Sequence, residues 1–203
     1  MDNPNEFYKA TVDKQPSGLI RKFFNFKYNE KMVGNIAVDL GCGAGNDTEF
    51  LISKGFHVTA IDKEEQVKDI LNSKNIDKTN LKVLVGDFSE IEIPDADLIF
   101  ANMSLFFVKD NFEHFLEKIL SKINNKGFFV ANFLGKEDDW NGSKTTIEKE
   151  KLLDYFKNFD INYFSEEKYC KDTALGKNKF WHVYTIIAQE NKKAGRILHK
   201  CIL

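Results

Sequence analysis

Three cysteines are all the chain has, Cys42, Cys170 and Cys201. Their number is odd and their spacings are long. No pair has zinc-ligand spacing and no disulfide framework is implied, so no metal site is expected. Long apolar runs are also missing. Nothing approaches the ~18 consecutive apolar residues of a spanning helix. The opening Met1-Asp2-Asn3-Pro4-Asn5-Glu6 is polar and lacks the apolar core of a signal peptide. A cytoplasmic protein without a membrane partner is the expectation. There is no charge excess of one sign: 29 Lys and Arg face 31 Asp and Glu, for a net −2. That balance gives no reason to expect a nucleic-acid partner. Internal repeats and low-complexity segments are absent as well.

What is present is a globular composition, 42% apolar over 203 residues and with 19 Phe. Length points to one domain, taken as residues 1–189, with 1–33 as an N-terminal cap segment and 190–203 as a tail. Short apolar runs alternate with helical stripes. Strands are expected at Ile36–Leu40, His57–Ile61, Leu81–Val85, Asp97–Ala101 and Phe128–Phe133. Helices are expected at Asp47–Lys54, around Val67, Ile70 and Leu71, and over Phe112, Phe115, Leu116, Ile119, Leu120 and Ile123, which share one face. Asn124-Asn125-Lys126-Gly127 reads as the turn that ends this last helix. Strands alternating with helices imply a parallel sheet covered on both faces.

Later the rhythm changes. A polar loop, Gly135 to Lys144, precedes a helix at Ile147–Phe156. Two further strands, Ile161–Phe164 and Phe180–Ala188, can pair antiparallel at a sheet edge, joined by a long charged linker, Ser165 to Lys179, of the kind that is usually functional or mobile. Leu19, Ile20, Phe23 and Phe24 mark a leading helix after Pro16-Ser17-Gly18. The tail carries apolar Ile197, Leu198 and Ile202 and reads equally as a docked helix or a frayed end.

The chemistry begins at Val38-Asp39-Leu40-Gly41-Cys42-Gly43-Ala44-Gly45, directly after the first strand. In an open parallel sheet, ligands bind beyond the carboxyl ends of the strands. Glycines let the backbone turn tightly and approach a ligand, and the helix that follows offers free N–H groups. A dinucleotide fingerprint reads G-x-G-x-x-G, but its third glycine position here is Asn46. Asp39 can pair with a cationic amino group, such as that of S-adenosylmethionine (SAM), and would repel a pyrophosphate. Cys42 fits as a compact filler.

Asp62 follows 21 residues after Gly41, at the end of the second strand. A carboxylate there accepts from ribose hydroxyls; its other reading is the N-cap of the run starting at Lys63. Gly86-Asp87-Phe88 follows the third strand, where Asp87 can accept from an adenine amino group and Phe88 can offer an N–H and a ring. Ala101-Asn102-Met103-Ser104-Leu105-Phe106-Phe107 follows the fourth. Asn102, Met103 and Ser104 are candidates for positioning cofactor or acceptor, and Phe106 and Phe107 for a water-excluding wall or for packing.

The order of these signals resembles the class I SAM-dependent methyltransferases. The resemblance rests on residues 38–45, Asp62, Gly86-Asp87 and Asn102, and covers the first two-thirds of the chain. It implies a Rossmann-like, doubly wound, seven-stranded, mostly parallel sheet with helices on both faces and the last strand antiparallel. It also implies SAM as cofactor, held by Asp39, Gly41, Cys42, Gly43, Gly45, Asp62, Lys63, Gly86, Asp87, Phe88, Asn102, Met103 and Ser104. Gln15–Leu19, Phe133–Trp140 and Thr173–His182 look like a narrower bacterial group related to tellurite-resistance methyltransferases. The Asn-Pro-Pro-Tyr type signature of enzymes that methylate base amines is replaced by Asn102-Met103-Ser104-Leu105.

The expected reaction is in-line methyl transfer to a small molecule, by a monomer or homodimer. A non-catalytic SAM-binding protein and, less well supported, a NAD-dependent oxidoreductase are the alternatives. His182 and Tyr8 are the catalytic candidates. Trp140 and Trp181 join Phe106 and Phe107 as pocket candidates; His114 reads as structural, and Asp138 and Asp139 as solvated loop charges.

Overall fold

The computed structural model describes residues 3–26 and 32–191. The expected tail residues Ile197, Leu198, Cys201 and Ile202 lie outside them. Eight strands form one sheet: β1 (Ile36–Leu40), β2 (His57–Asp62), β3 (Leu81–Val85), β4 (Ala96–Ala101), β5 (Ile123–Gly135), β6 (Thr146–Ile147), β7 (Phe159–Asp172) and β8 (Asn178–Glu190). Their spatial order is β3-β2-β1-β4-β5-β8-β7, with β6 beside β5. The first five strands are parallel, and β8 runs antiparallel to both β5 and β7. This is the expected doubly wound sheet; the eighth strand is the two-residue β6, too short to leave an apolar pattern.

Among the described residues six α-helices surround it: α1 (Pro4–Thr11), α2 (Gly18–Asn25), α3 (Asn46–Ser53), α4 (Val67–Ser73), α5 (Phe112–Ser121) and α6 (Lys149–Tyr155). Alternation along β4 shows why both faces are covered. Leu98 and Phe100 pack with α2 and α3 through Leu19, Ile20, Phe23, Leu51 and Ile52. Ile99 and Ala101 face the other way, toward Phe115, Leu116 and Ile119 of α5 and Leu152 of α6. Successive strand residues point to opposite faces, so a strand buried on both sides is apolar throughout.

Two local readings are corrected. Ile123 does not close helix α5. It pairs with Ala96 and opens β5, yet its side chain stays in the same apolar cluster, which is why helical spacing included it. Asn124 to Gly127 lie within β5, where the register shifts against β4 and Lys126 takes a φ of 62°. Likewise Ser165 to Lys179 is no linker. It belongs to the β7–β8 hairpin, with Cys170 paired to Phe180 and Asp172 to Asn178. The turn closes between Thr173 and Lys177, with Gly176 at a φ of 77°. Among the described residues, no helix is long and apolar enough to cross a membrane.

Candidate functional site

The glycine turn is fastened to β2: the N–H groups of Gly41 and Cys42 both donate to the Ile61 carbonyl, at 2.8 and 3.0 Å. Gly41, Gly43 and Gly45 have φ of 71°, 53° and 72°, a region costly for residues with a Cβ. At Gly41 a Cβ would also stand 2.5 Å from the Ser104 Cβ. The exits of β1 and β4 therefore touch, and the Ser104 hydroxyl joins them by donating to the Leu40 carbonyl at 2.6 Å. Ser104 is buried and braces the turn. Cys42 packs with Ala60, Val67 and Leu71, and burial, with Asp39 and Asp62 nearby, pushes its thiol up. It fits as a filler.

Asp39 is 2% exposed. Its Oδ2 accepts from the Thr48 hydroxyl at 2.6 Å. Burial, followed by the negative charge of Asp47, pushes its carboxyl up to about 8. It is an acid held short of ionisation at neutral pH, and a neighbouring cation would reverse that. Thr48 was not legible as a site residue; its spacing of nine residues from Asp39 acquires meaning only when α3 folds back along β1.

Asp62 ends β2. Its Oδ2 accepts from Gly43 N–H at 2.8 Å, and its Oδ1 from the Tyr8 hydroxyl at 2.9 Å and Glu64 N–H at 3.2 Å. It does not cap the following helix, which begins at Val67 with Gln66 at its N-cap. Tyr8, a catalytic candidate by sequence, thus stands against the glycine turn and Asp62. Burial, then the Asp62 charge, pushes its phenol far above the ordinary range, so it keeps its proton and donates it to Asp62. Lys63 is exposed, 3.8 Å from Glu64. Asn46, where the dinucleotide fingerprint wants glycine, donates to the Thr11 carbonyl at 2.7 Å and accepts from Lys74 at 2.9 Å. A glycine there would lose both ties.

Beyond β3, Gly86 N–H donates to the Asp62 carbonyl at 2.9 Å. Asp87 is exposed, and its Oδ1 accepts the N–H and hydroxyl of Ser89. The Phe88 ring turns inward against Phe115, with centroids 5.6 Å apart, so it belongs to the core. Asp87 and Phe107 share an open groove of about 470 Å³ with His114 and Phe115. Asn102 and Met103 follow β4, half-buried. Met103 has a φ of 53°, uncommon for a residue with a side chain and the kind of strain that collects at functional sites.

The pocket candidates do meet. Phe106, Trp181, Leu134 and Val183 form a buried cluster, with Met103, Phe107 and Trp140 packed against it. The Trp140 ring lies 5.5 Å from Phe106 and 5.3 Å from Trp181. Behind them is a residue the sequence reading missed. Lys179 Nζ sits 3.7 Å from the Trp181 ring centroid and 4.6 Å from that of Trp140, ion-paired with Asp138. Asp138 is therefore no solvated loop charge. It is 3% exposed and also accepts from Trp140 N–H and His182 N–H. Asp139 accepts from Phe180 N–H at 2.7 Å.

His182 is a poor candidate base. Its Nδ1 accepts from Glu137 N–H at 3.2 Å, so the ring proton resides on Nε2, 2.9 Å from Glu166 Oε1. Both nitrogens are engaged by the protein, and the ring braces the end of β5 against the hairpin.

Residues 38–131 match the family model of the methyltransferase domain. The match runs from β1 into β5, a little under half of the chain, and takes in the glycine turn, Asp62, Gly86-Asp87 and Asn102. The fold agrees: TehB from Haemophilus influenzae superposes with a TM-score of 0.71, at 17% identity, over 91% of this chain and 66% of that one. Among curated proteins, ribosomal RNA small subunit methyltransferase A of Mesomycoplasma hyopneumoniae strain J is 33% identical over 115 residues, 49% of this chain and 44% of the relative. Malonyl-[acyl-carrier protein] O-methyltransferase of Calditerrivibrio nitroreducens is 26% identical over 145 residues, 68% of this chain and 56% of the relative. The matches thus span about half the length of these relatives. The fit of these residues to SAM is testable on the chain itself. The left-handed glycine turn lies between a buried acid with no cationic partner among the described residues and a carboxylate at the end of β2, and both suit a ligand carrying an ammonium and a ribose.

Proposed function

We propose that this protein is a methyltransferase, which transfers a methyl group from SAM to a small-molecule acceptor by in-line displacement. The observation that carries the reading is the pair of carboxylates on either side of one glycine turn: Asp39 for the ammonium of the methionine moiety and Asp62 for the ribose hydroxyls. Gly41, Gly43 and Gly45 give the turn its left-handed backbone, and Asp87 is assigned to the adenine amino group. SAM, when bound, supplies a methyl carbon activated by a sulfonium. The protein's task is alignment and exclusion of water, and positioning of this kind contributes ~7–11 kcal/mol. Met103, Phe106, Phe107 and Trp140 supply the apolar wall beside the β4 exit. A cation next to aromatic faces gains ~0.5–2 kcal/mol. With His182 and Tyr8 both committed to protein partners, the reading assigns no general base and favours an acceptor that arrives as a nucleophile, such as a thiolate or an oxyanion.

The similarity to a ribosomal RNA methyltransferase raises RNA as a second acceptor class. The balanced charge and the sequence Asn102-Met103-Ser104-Leu105 weigh against it. The deciding assay measures S-adenosylhomocysteine release across thiols, tellurite, selenite, amines, carboxylates and RNA. Release with a small molecule is the expected result; release with RNA alone overturns the acceptor class, and no release with any acceptor favours a SAM-binding protein without catalysis. Calorimetry tests the cofactor: SAM binds, NADH does not, and Asp62→Ala weakens SAM at least about tenfold, the loss expected when hydrogen bonds to a charged group are removed.

A further inference from the structure

Tyr8 is the one residue of α1 with a buried side chain. Its hydroxyl donates to Asp62 Oδ1 at 2.9 Å, on the carboxylate that the proposed reading gives to the ribose. An ionised carboxylate offers about four acceptor sites. Three are taken by protein donors: Tyr8 on Oδ1, Glu64 N–H on Oδ1 at 3.2 Å and Gly43 N–H on Oδ2 at 2.8 Å. A ribose brings two hydroxyls, so one donor has to leave. The two backbone donors belong to the glycine turn and to the strand end that shape the site. Tyr8 does not. It comes from an eight-residue helix, and helices below ~12–15 residues are marginal on their own. The other ties of α1 to the turn are slight: the Asn46 amide on the Thr11 carbonyl at 2.7 Å, and the Phe7 ring 3.4 Å from where a Cβ of Gly43 would stand.

We propose that Tyr8 is an internal competitor for the ribose-binding carboxylate, and that cofactor binding displaces its hydroxyl and loosens α1. The inference rests on Asp62 being the ribose acceptor. Tyr8 is then a specificity-determining residue. A ligand that brings hydroxyls to Asp62 replaces the bond it breaks, whereas one without them leaves Tyr8 seated and gains nothing from the carboxylate.

The test is calorimetric titration of the full chain, as wild type, Tyr8→Phe and Asp62→Asn. One ligand is S-adenosylhomocysteine; the other is its analogue lacking the 2′ and 3′ hydroxyls. Tyr8→Phe keeps the ring packing and leaves Oδ1 bonded to Glu64 N–H. It is expected to bind S-adenosylhomocysteine about 3–10-fold tighter, the worth of one hydrogen bond no longer broken, with unchanged affinity for the analogue. Amide exchange over Phe7–Thr11 of the wild type is expected to quicken on adding S-adenosylhomocysteine. Equal or weaker binding by Tyr8→Phe, or slower exchange, overturns the competition and makes Tyr8 a supporting contact. Failure of the underlying reading looks different: Asp62→Asn then binds S-adenosylhomocysteine as the wild type does, whatever Tyr8→Phe shows.

Discussion

Two carboxylates, Asp39 and Asp62, show how environment divides like residues. Asp62 collects three donors. Asp39 has one hydroxyl, from Thr48, and burial pushes it up to about 8. An unfolded Asp titrates near ~3.9, so the folded chain holds a proton on Asp39 that the unfolded chain has lost. Its contribution to stability is complete below about pH 4 and is lost as pH rises toward about 8. The difference in urea midpoint, wild type minus Asp39→Asn, is therefore expected to fall between pH 5 and 8. A difference that rises with pH contradicts the buried, uncompensated acid. Binding has the opposite slope. Below pH 7 an α-ammonium stays protonated, and placing it beside Asp39 expels the carboxyl proton. SAM affinity is expected to rise by up to about tenfold per pH unit from pH 5 to 7, with proton release visible in buffers of different ionisation enthalpy. Asp39→Asn flattens that slope. At this scale the sequence showed the acids, because each lies at or next to the end of a strand; it could not show Tyr8 on Asp62, a contact between residues 54 positions apart.

Among the elements, the β7–β8 hairpin departs most from its sequence reading, and its composition explains why. Glu166-Glu167-Lys168-Tyr169-Cys170-Lys171-Asp172 lies on the edge strand β7, exposed along this stretch. With neither face buried it has no period-two apolar signal; its register comes from pairing with β8. Charged residues along an edge also discourage pairing with other chains. The hairpin is locked to β5 by His182, whose ring fills the space over Gly135, where a Cβ would overlap it. Gly135→Ala is expected to lower stability by about 1–3 kcal/mol, the range for overpacking. In a His182→Ala background the same change should cost much less, because the obstruction is gone. Urea unfolding of the four proteins in a double-mutant cycle measures this coupling, and additive costs would remove His182 from its bracing role. A brace also predicts that His182→Gln changes stability more than the pH dependence of turnover, whereas a general base would shift the pH profile.

For the whole molecule, the proposed site and a buried structural acid lie at opposite ends of the parallel sheet. Asp39, Asp62, Asp87 and Asn102 all stand at or just past the carboxyl ends of their strands. Such positions were legible because each apolar strand is closed or followed by a polar residue, acidic in three of the four cases. The amino end has its own buried carboxylate, near the start of β4 and with no glycine turn beside it to mark it in the sequence. Asp97, 6% exposed, accepts from Ile36 N–H at 2.8 Å and from the Asn124 amide at 2.8 Å, tying the starts of β1 and β5 to β4. The two acids should therefore fail in different ways. Asp97→Ala leaves two part-buried donors without their acceptor, at a cost of about 1–3 kcal/mol. It should lower the urea midpoint with an unchanged m-value, while SAM affinity of the folded fraction stays as in the wild type. Asp62→Asn should weaken SAM at least about tenfold with a smaller change in midpoint. If Asp97→Ala weakens SAM as much as Asp62→Asn does, the two ends of the sheet are coupled, and the assignment of the site to the carboxyl end loses its support.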